Sequence, residues 1–252
     1  MTNIILCGCS GRMGEAVAKL IDQRDDAQII AGVDINPAAT VSDFPIFQTI
    51  SEFSGKADVI VDFSHHTTLP CLTEYAVKTS TPLVICTTGH TEDELAVMRK
   101  ASESVAVFFS GNMSIGINLL IELCKKASET LGDAFDVEII EKHHNKKLDA
   151  PSGTALMLAD SIKETRENTE YVYDRHSVRR QRSSDEIGIH SVRGGTIVGE
   201  HEVIFAGNNE MITISHSAMS REIFAAGAVR AAAFLSGKPA GMYNMSNVIN
   251  GK

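Results

Sequence analysis

The chain of 252 residues has no tryptophan, so its intrinsic fluorescence comes from four tyrosines. Its five cysteines, Cys7, Cys9, Cys71, Cys86 and Cys124, are odd in number and contain no C-x-x-C pair. That excludes a disulfide framework and a paired zinc pattern, and reduced thiols in a cytosolic setting are the simplest account. Positive charge is short: 23 Lys and Arg against 32 Asp and Glu leave a formal net charge of −9. Nucleic acid or an anionic membrane would want a basic face, so neither is expected as a partner. No apolar run approaches the ~20 residues of a membrane span. No charged-then-apolar leader precedes the first strand, and the protein is expected in the cytoplasm. Internal repeats and low-complexity segments are also lacking. The remainder, 43% hydrophobic and 22% charged, is ordinary for a globular chain of one large domain or two modest ones.

What is present begins with a strand, a glycine turn and a helix. Asn3 to Cys7 is a short apolar run, and Ala16, Val17, Leu20 and Ile21 recur at helical spacing after it. Between them stands Gly8-Cys9-Ser10-Gly11-Arg12-Met13-Gly14. Glycines there let the backbone approach a pyrophosphate, and the helix N-terminus faces the same anion. The spacing is G-x-x-G-x-x-G, with Cys9 where the standard fingerprint has its first glycine; a plain βα turn uses glycine as well. Gln28 to Val33 reads as the second strand and ends at Asp34, whose carboxylate can accept hydrogen bonds from adenosine ribose hydroxyls. An ordinary exposed aspartate is the alternative.

Three further apolar runs follow at α/β spacing: Val59 to Phe63, Leu83 to Cys86 and Val105 to Phe109, with helical segments near Leu69 to Thr79 and Glu92 to Ser102. They lack strict alternation, as parallel strands covered on both faces do. Each stops in small or polar residues, Cys86-Thr87-Thr88 and Ser110-Gly111-Asn112-Met113 among them, where open α/β sheets bind ligands. His65, His66 and His90 read as polar loop histidines.

After a helical stretch from Gly116 to Leu131, Glu138 to Leu156 reads EIIEKHHNKKLDAPSGTAL. An apolar strand delivers His143, His144, Lys146 and Lys147 to a loop, and the loop delivers Ser152, Gly153 and Thr154 to a helix start. Ala150, before Pro151, is biased away from helical angles, so the helix starts after it. First-turn N–H groups beside lysines form an anion site, and histidines beside it can move protons near neutral pH. A solvated polar loop fits the same residues. Metal is a third option without Asp, Glu or Cys at a convincing ligand spacing, and no metal site is expected. Neighbouring strand residues face opposite ways, so both histidines enter one cleft only if the strand has ended there. From Tyr171 the chain reads as antiparallel sheet, with Arg175, Arg179, Arg180, Arg182 and Arg193 as a solvated basic cluster, and a final helix spans about Arg221 to Leu235.

HHNKKLDAPSGTA resembles the signature of the dihydrodipicolinate reductase family, also called 4-hydroxy-tetrahydrodipicolinate reductases, and the likeness extends over essentially the whole chain. It implies an α/β fold: a Rossmann-like parallel-sheet dinucleotide domain at 1–113 and 222–252, and an α+β substrate-binding and oligomerisation domain with a mixed or antiparallel sheet at 114–221. It implies NAD(P)H-dependent reduction of 4-hydroxy-tetrahydrodipicolinate to tetrahydrodipicolinate in diaminopimelate and lysine biosynthesis. Its proton donors fall on His143 and Lys147, its substrate-binding positions on His144, Gly153 and Thr154. Cofactor contacts fall on Gly8, Cys9, Ser10, Gly11, Arg12, Met13 and Asp34, and the nicotinamide half on Cys86, Thr87, Thr88, Ser110, Gly111, Asn112 and Met113. Many members have glycine where this chain has Cys86. Many also follow the acidic residue with an arginine; Ile35 stands there instead, which predicts a modest preference for NADH over NADPH. A small dicarboxylate substrate and a homotetramer are implied. Rival readings are another two-domain oxidoreductase and a catalytically silent dinucleotide sensor, which would not need the His143–Thr154 constellation.

Overall fold

The computed structural model describes residues 1–37 and 42–251. The strands and helices run in the order β1 (Thr2–Cys7), α1 (Arg12–Asp22), β2 (Ala27–Val33), β3 (Ile46–Phe47), β4 (Val59–Asp62), α2 (Leu69–Thr79), β5 (Leu83–Ile85), α3 (Glu92–Ser102) and β6 (Ala106–Phe109). Then come α4 (Ile115–Leu131), β7 (Asp136–His143), α5 (Gly153–Lys163), β8 (Glu170–Val172), β9 (Glu186–Arg193), β10 (Gly199–Ala206) and β11 (Met211–Ala218). The chain closes with α6 (Glu222–Leu235), β12 (Gly241–Tyr243) and α7 (Met245–Asn250). It divides into two compact units, Met1–Ser114 with Glu222–Lys252, and Ile115–Arg221.

The first unit is built on a seven-stranded parallel sheet in the order β12-β6-β5-β4-β1-β2-β3. Val59, Ile60 and Val61 of β4 and Leu83, Val84 and Ile85 of β5 are all buried, because both faces of a parallel sheet are covered. Helix α3 starts at a capping box. Thr91 accepts from the Glu94 N–H at 3.3 Å, and the Glu94 carboxylate accepts from the Thr91 N–H at 2.8 Å. Helix α1 has no side-chain cap, and its N-terminal N–H groups stand behind the glycine turn. The short β3 and β12 and the helix α7 have no counterpart in the sequence reading; two or three residues of strand carry too little periodicity to announce themselves.

The second unit is a five-stranded sheet in the order β11-β10-β7-β9-β8. It is mixed, which corrects the antiparallel reading of the segment after Tyr171. Strand β9 runs parallel to β7 and to β8, whereas β7, β10 and β11 are antiparallel neighbours. The reason lies in two connections: α5 carries the chain from β7 to β8, and residues 173–185 return it from β8 to β9 in the same direction. Strand β7 alternates strictly, with Val137, Ile139, Glu141 and His143 turned inward. Ile117, Leu120 and Cys124 of α4, Ala155, Leu158 and Ile162 of α5, and Val203 and Phe205 of β10 pack on the first two of these. Arg175, Arg179 and Arg180 are exposed, as a solvated cluster would be, but most of the cluster is engaged in ion pairs. Arg175 and Arg180 pair with Glu186 at 2.6 and 2.7 Å, and Arg182 pairs with Asp136 at 2.6 Å and Glu138 at 3.0 Å.

Candidate active site

In the first unit the glycine turn is required by the protein's own backbone. Gly8 has φ of 72°, and a Cβ on it would lie 2.6 Å from the Phe63 carbonyl. A Cβ on Gly14 would lie 2.3 Å from the Gly8 oxygen, so this glycine lets α1 pack on the turn. At the far end Asp34 is turned onto the same loop: its Oδ2 accepts from the Ser10 N–H at 3.0 Å and its Oδ1 from the Asn36 N–H at 3.1 Å. The Cys9 side chain is buried against Gly32, so Cys9 can offer a ligand only backbone.

The other predicted residues of this unit gather at the carboxyl ends of β4, β5 and β6. Met13, Cys86, Thr88 and the Ser110–Met113 loop line a cavity of about 250 Å³ with Phe63 and Phe224. Thr87 is the exception: its hydroxyl donates to the buried carboxylate of Asp62 at 2.7 Å, which ties β5 to β4. Ser110 Oγ donates to the Asn112 carbonyl at 2.8 Å, and the loop lies against Gly227 of α6, where a Cβ would sit 1.7 Å from the Met113 oxygen. Burial pushes the Cys86 thiol up, so it stays a protonated lining residue. Of the three histidines, His90 is buried under Phe109 rather than solvated, and His66 pairs with Glu94 at 2.7 Å.

An uncapped helix N-terminus, a glycine turn and an acceptor carboxylate at the tip of β2 are the donor and acceptor set a dinucleotide needs. The residues present therefore fit a nicotinamide dinucleotide. Among the described residues no group of three or more His, Cys, Asp or Glu is placed to hold a metal ion.

In the second unit β7 ends at His143, and His144 lies beyond the strand. The strand's inward face turns polar at its end. Glu141 has no exposed surface, and its Oε2 lies 2.6 Å from Nδ1 of His143. Arg193 of β9 donates to both carboxylate oxygens, at 2.7 and 2.8 Å, and the Ser152 N–H donates to Oε1 at 3.1 Å. Ser152 also caps α5, accepting from the Ala155 N–H at 3.2 Å, and sits 3.0 Å from Nε2 of His201. The His201 ring meets that of His143 edge to face at 5.2 Å. Lys147 pairs with Asp149 at 2.9 Å, and Arg193 donates to the Asp149 carbonyl at 2.6 Å. His144 keeps a buried Nδ1 without a partner. Gly153 and Thr154 form the first turn of α5.

Burial opposes the charge on Glu141, but hydrogen bonds from Arg193, Ser191 and His143 prevail and hold its carboxyl at about 2. His143 lies below its ordinary 6.5: burial lowers it most, Glu141 raises it, and Lys147 and Arg193 lower it again. His201 is pushed by burial to about 4 and is neutral at pH 7. Sequence reading missed Glu141, Arg193 and His201 as a set. Glu141 had a signal, since residues two apart on a strand share a face. Arg193 and His201 had none, because they meet this face only through the register of three strands, with His143 opposite Arg193 and Glu141 opposite His201.

A parallel sheet with an uncapped glycine turn, followed by a mixed-sheet unit holding a buried carboxylate–imidazole pair, is the organisation of a two-unit nicotinamide-dependent oxidoreductase. The chain belongs to the dihydrodipicolinate reductase family: the N-terminal family model, "Dihydrodipicolinate reductase, N-terminus", matches residues 2–113 and the C-terminal one, "Dihydrodipicolinate reductase, C-terminus", residues 116–249. The 4-hydroxy-tetrahydrodipicolinate reductase of Caldanaerobacter subterraneus subsp. tengcongensis is 52% identical over 250 residues, 99% of this chain and 98% of that protein. The enzyme of the same description from Clostridium tetani is 49% identical over 251 residues, again 99% and 98%. Among solved structures, a dipicolinate-bound dihydrodipicolinate reductase from Paenisporosarcina sp. TG-14 shares the fold, with a TM-score of 0.80, 24% identity and 97% of each chain covered.

Proposed function

We propose that this chain performs its family's reaction with His143 as proton donor, assisted by Lys147, and with His144, Lys147, Gly153 and Thr154 holding the substrate's carboxylates. The reaction is the NAD(P)H-dependent reduction of 4-hydroxy-tetrahydrodipicolinate to tetrahydrodipicolinate, in diaminopimelate and lysine biosynthesis. The bound reduced nicotinamide supplies the hydride, which reaches a conjugated imine and leaves an enamine. The protein must then present a planar dicarboxylate and deliver a proton to carbon. His143 beside the first turn of α5, with its ring held by Glu141, is the observation that carries this reading. A dicarboxylate arriving near His143 favours the imidazolium, so substrate binding itself charges the donor. His144, with its unpartnered buried Nδ1, takes a binding part.

The turn from Gly8 to Met13 would hold the dinucleotide's phosphates, Asp34 its adenosine ribose, and Cys86, Thr88 and the Ser110–Met113 loop its nicotinamide, with Thr87 contributing backbone while its hydroxyl stays on Asp62. NADH is preferred over NADPH by a modest margin, because Asp34 repels a 2′-phosphate and the neighbouring Ile35, 84% exposed, offers it no cation. The active assembly is a homotetramer joined through the second unit, where Ile140, Val192, Ile204 and Met211 lie on the sheet face opposite the core. It works in the cytoplasm, in keeping with five free cysteines.

His143→Gln tests the reading. Loss of a general acid costs ~10²–10⁴ in rate, so kcat should fall by that factor with NADH binding unchanged. Near-normal turnover across the pH range would remove His143 from the chemistry.

A further inference from the structure

The inward face of β7 ends in a carboxylate and an imidazole where apolar residues precede them. Val137 and Ile139 are core, and two and four residues on, Glu141 and His143 occupy the same face. A fully buried charge is tolerated only with its partners in place, and Glu141 has Arg193 on both oxygens, the Ser152 N–H on Oε1, His143 on Oε2 and the Ser191 side chain. A carboxylate so held can only accept. The hydrogen in the 2.6 Å contact therefore belongs to Nδ1 of His143, in the neutral ring as in the charged one. The ring's other nitrogen points toward β10 at a glycine: a Cβ on Gly199 would lie 3.1 Å from Nε2. Any larger residue there would crowd the atom that Glu141 leaves available.

We infer that Glu141, clamped by Arg193, is the positioning residue of the proton donor: it keeps the hydrogen on Nδ1 of His143, so that Nε2 alone takes up and gives away the catalytic proton. This rests on the reading of His143 given above. In the step itself the Nε2–H bond of the imidazolium breaks as a C–H bond forms at the enamine carbon. The electron pair of the enamine anion left by hydride addition makes the new bond and the C=N bond re-forms, while the imidazole is left neutral with hydrogen on Nδ1. Recharging at Nε2 comes from water. The charged and titratable groups that face the ring are Glu141 on β7, Arg193 on β9, His201 on β10 and Lys147 on the loop after β7. Glu141 is the one carboxylate among them. It supports the imidazolium at the moment of proton uptake, as buried acceptors behind histidines do elsewhere.

The test uses the intact chain labelled with nitrogen-15, the His143 signals being identified by their loss in His143→Gln. Above its titration, His143 should show a protonated Nδ1 and an unprotonated Nε2, the tautomer that free histidine disfavours. An Nε2–H tautomer, or an even mixture, overturns the proposal, and this measurement requires no variant in the network to fold. In Glu141→Gln the carboxamide can keep an acceptor while the charge is lost. Turnover should drop at least tenfold with little change in KM, and the alkaline limb of kcat should move to lower pH. A Glu141→Gln enzyme whose activity falls with an unshifted pH profile has lost only structure, and that result also overturns the proposal. Gly199→Ala should lower kcat with the Nδ1–H tautomer intact; full activity would show that Nε2 is not the working atom. Failure here is separable from failure of the functional reading: full turnover in His143→Gln sinks both, whereas an Nε2–H tautomer in a chain that His143→Gln inactivates sinks this inference alone.

Discussion

Arg193→Met isolates the energetics of the buried pair. In the parent, Arg193 makes two hydrogen bonds to Glu141, at 2.7 and 2.8 Å, and a third to the Asp149 carbonyl at 2.6 Å. Methionine retains part of the apolar stem and removes the charge, leaving a carboxylate with no exposed surface and no cation, with the Ser152 N–H, Ser191 and His143 as its donors. Stranding one member of a buried ion pair costs ~3–5 kcal/mol. A second route gives a similar figure: a carboxyl held at about 2 instead of 4.5 carries roughly 3 kcal/mol of pH-dependent stability. Both describe the same charge and do not add. The sign follows from the depression: in the parent this contribution is complete above 4.5 and is lost as pH falls toward 2. In the variant, burial without the guanidinium raises the carboxyl, so its folded state weakens as pH rises. The stability difference between the two chains should therefore be largest near pH 7 and shrink toward pH 4. Denaturant unfolding followed by far-ultraviolet circular dichroism, at one protein concentration, measures it without needing a tryptophan. A loss below about 1 kcal/mol, the range of an exposed ion pair, and flat with pH, would refute the argument that Glu141 is a stranded charge without Arg193.

Three further outcomes are expected. Lys147→Ala should raise KM for the dicarboxylate at least tenfold, since a charge-assisted hydrogen bond contributes about 1.5–3 kcal/mol; unchanged affinity for a planar pyridine dicarboxylate inhibitor would contradict the placement. Gly227→Ala should lower the melting temperature even though alanine favours a helix by ~1 kcal/mol, because its Cβ would meet the Met113 oxygen at 1.7 Å and overpacking costs about 1–3 kcal/mol or more. A higher melting temperature would show that the loop is free to move off α6. Ile35→Arg should raise the ratio of kcat/KM for NADPH over that for NADH, measured at fixed substrate and ionic strength. A parent that already prefers NADPH would mean that Asp34 does not face the ribose.

Much of the first unit was legible in the sequence, because β1, β2, β4, β5 and β6 are short apolar runs that end in glycine or polar residues. The helices expected near Leu69 to Thr79 and Glu92 to Ser102 are found there: the first is followed by Ser80 in the left-handed region, and the second opens at the Thr91 capping box. These signals lie within a few residues of one another along the chain, where local sterics and hydrogen bonding decide the outcome. The direction of β9 was not local in this sense. Its residues suit either orientation, and two connections, α5 from β7 to β8 and residues 173–185 from β8 to β9, made it parallel to both strands.

The same division runs through the site. The stretch from His143 to Thr154 is contiguous, so sequence alone determined that imidazoles, ammonium groups and a helix N-terminus share one loop. Its family signature determined the chemistry they belong to. What only the tertiary structure decided is the protonation geometry. Glu141 is two residues from His143, but its charge is stabilised by Arg193, 52 residues away, and Ser152, 11 residues away. The pairing of β7 with β9 and the return of the loop to the start of α5 convert those separations into contacts below 3.2 Å. Hydrophobic periodicity can say that position 141 faces inward; it cannot say which cation will meet it, because that depends on the register between strands that are distant in the chain.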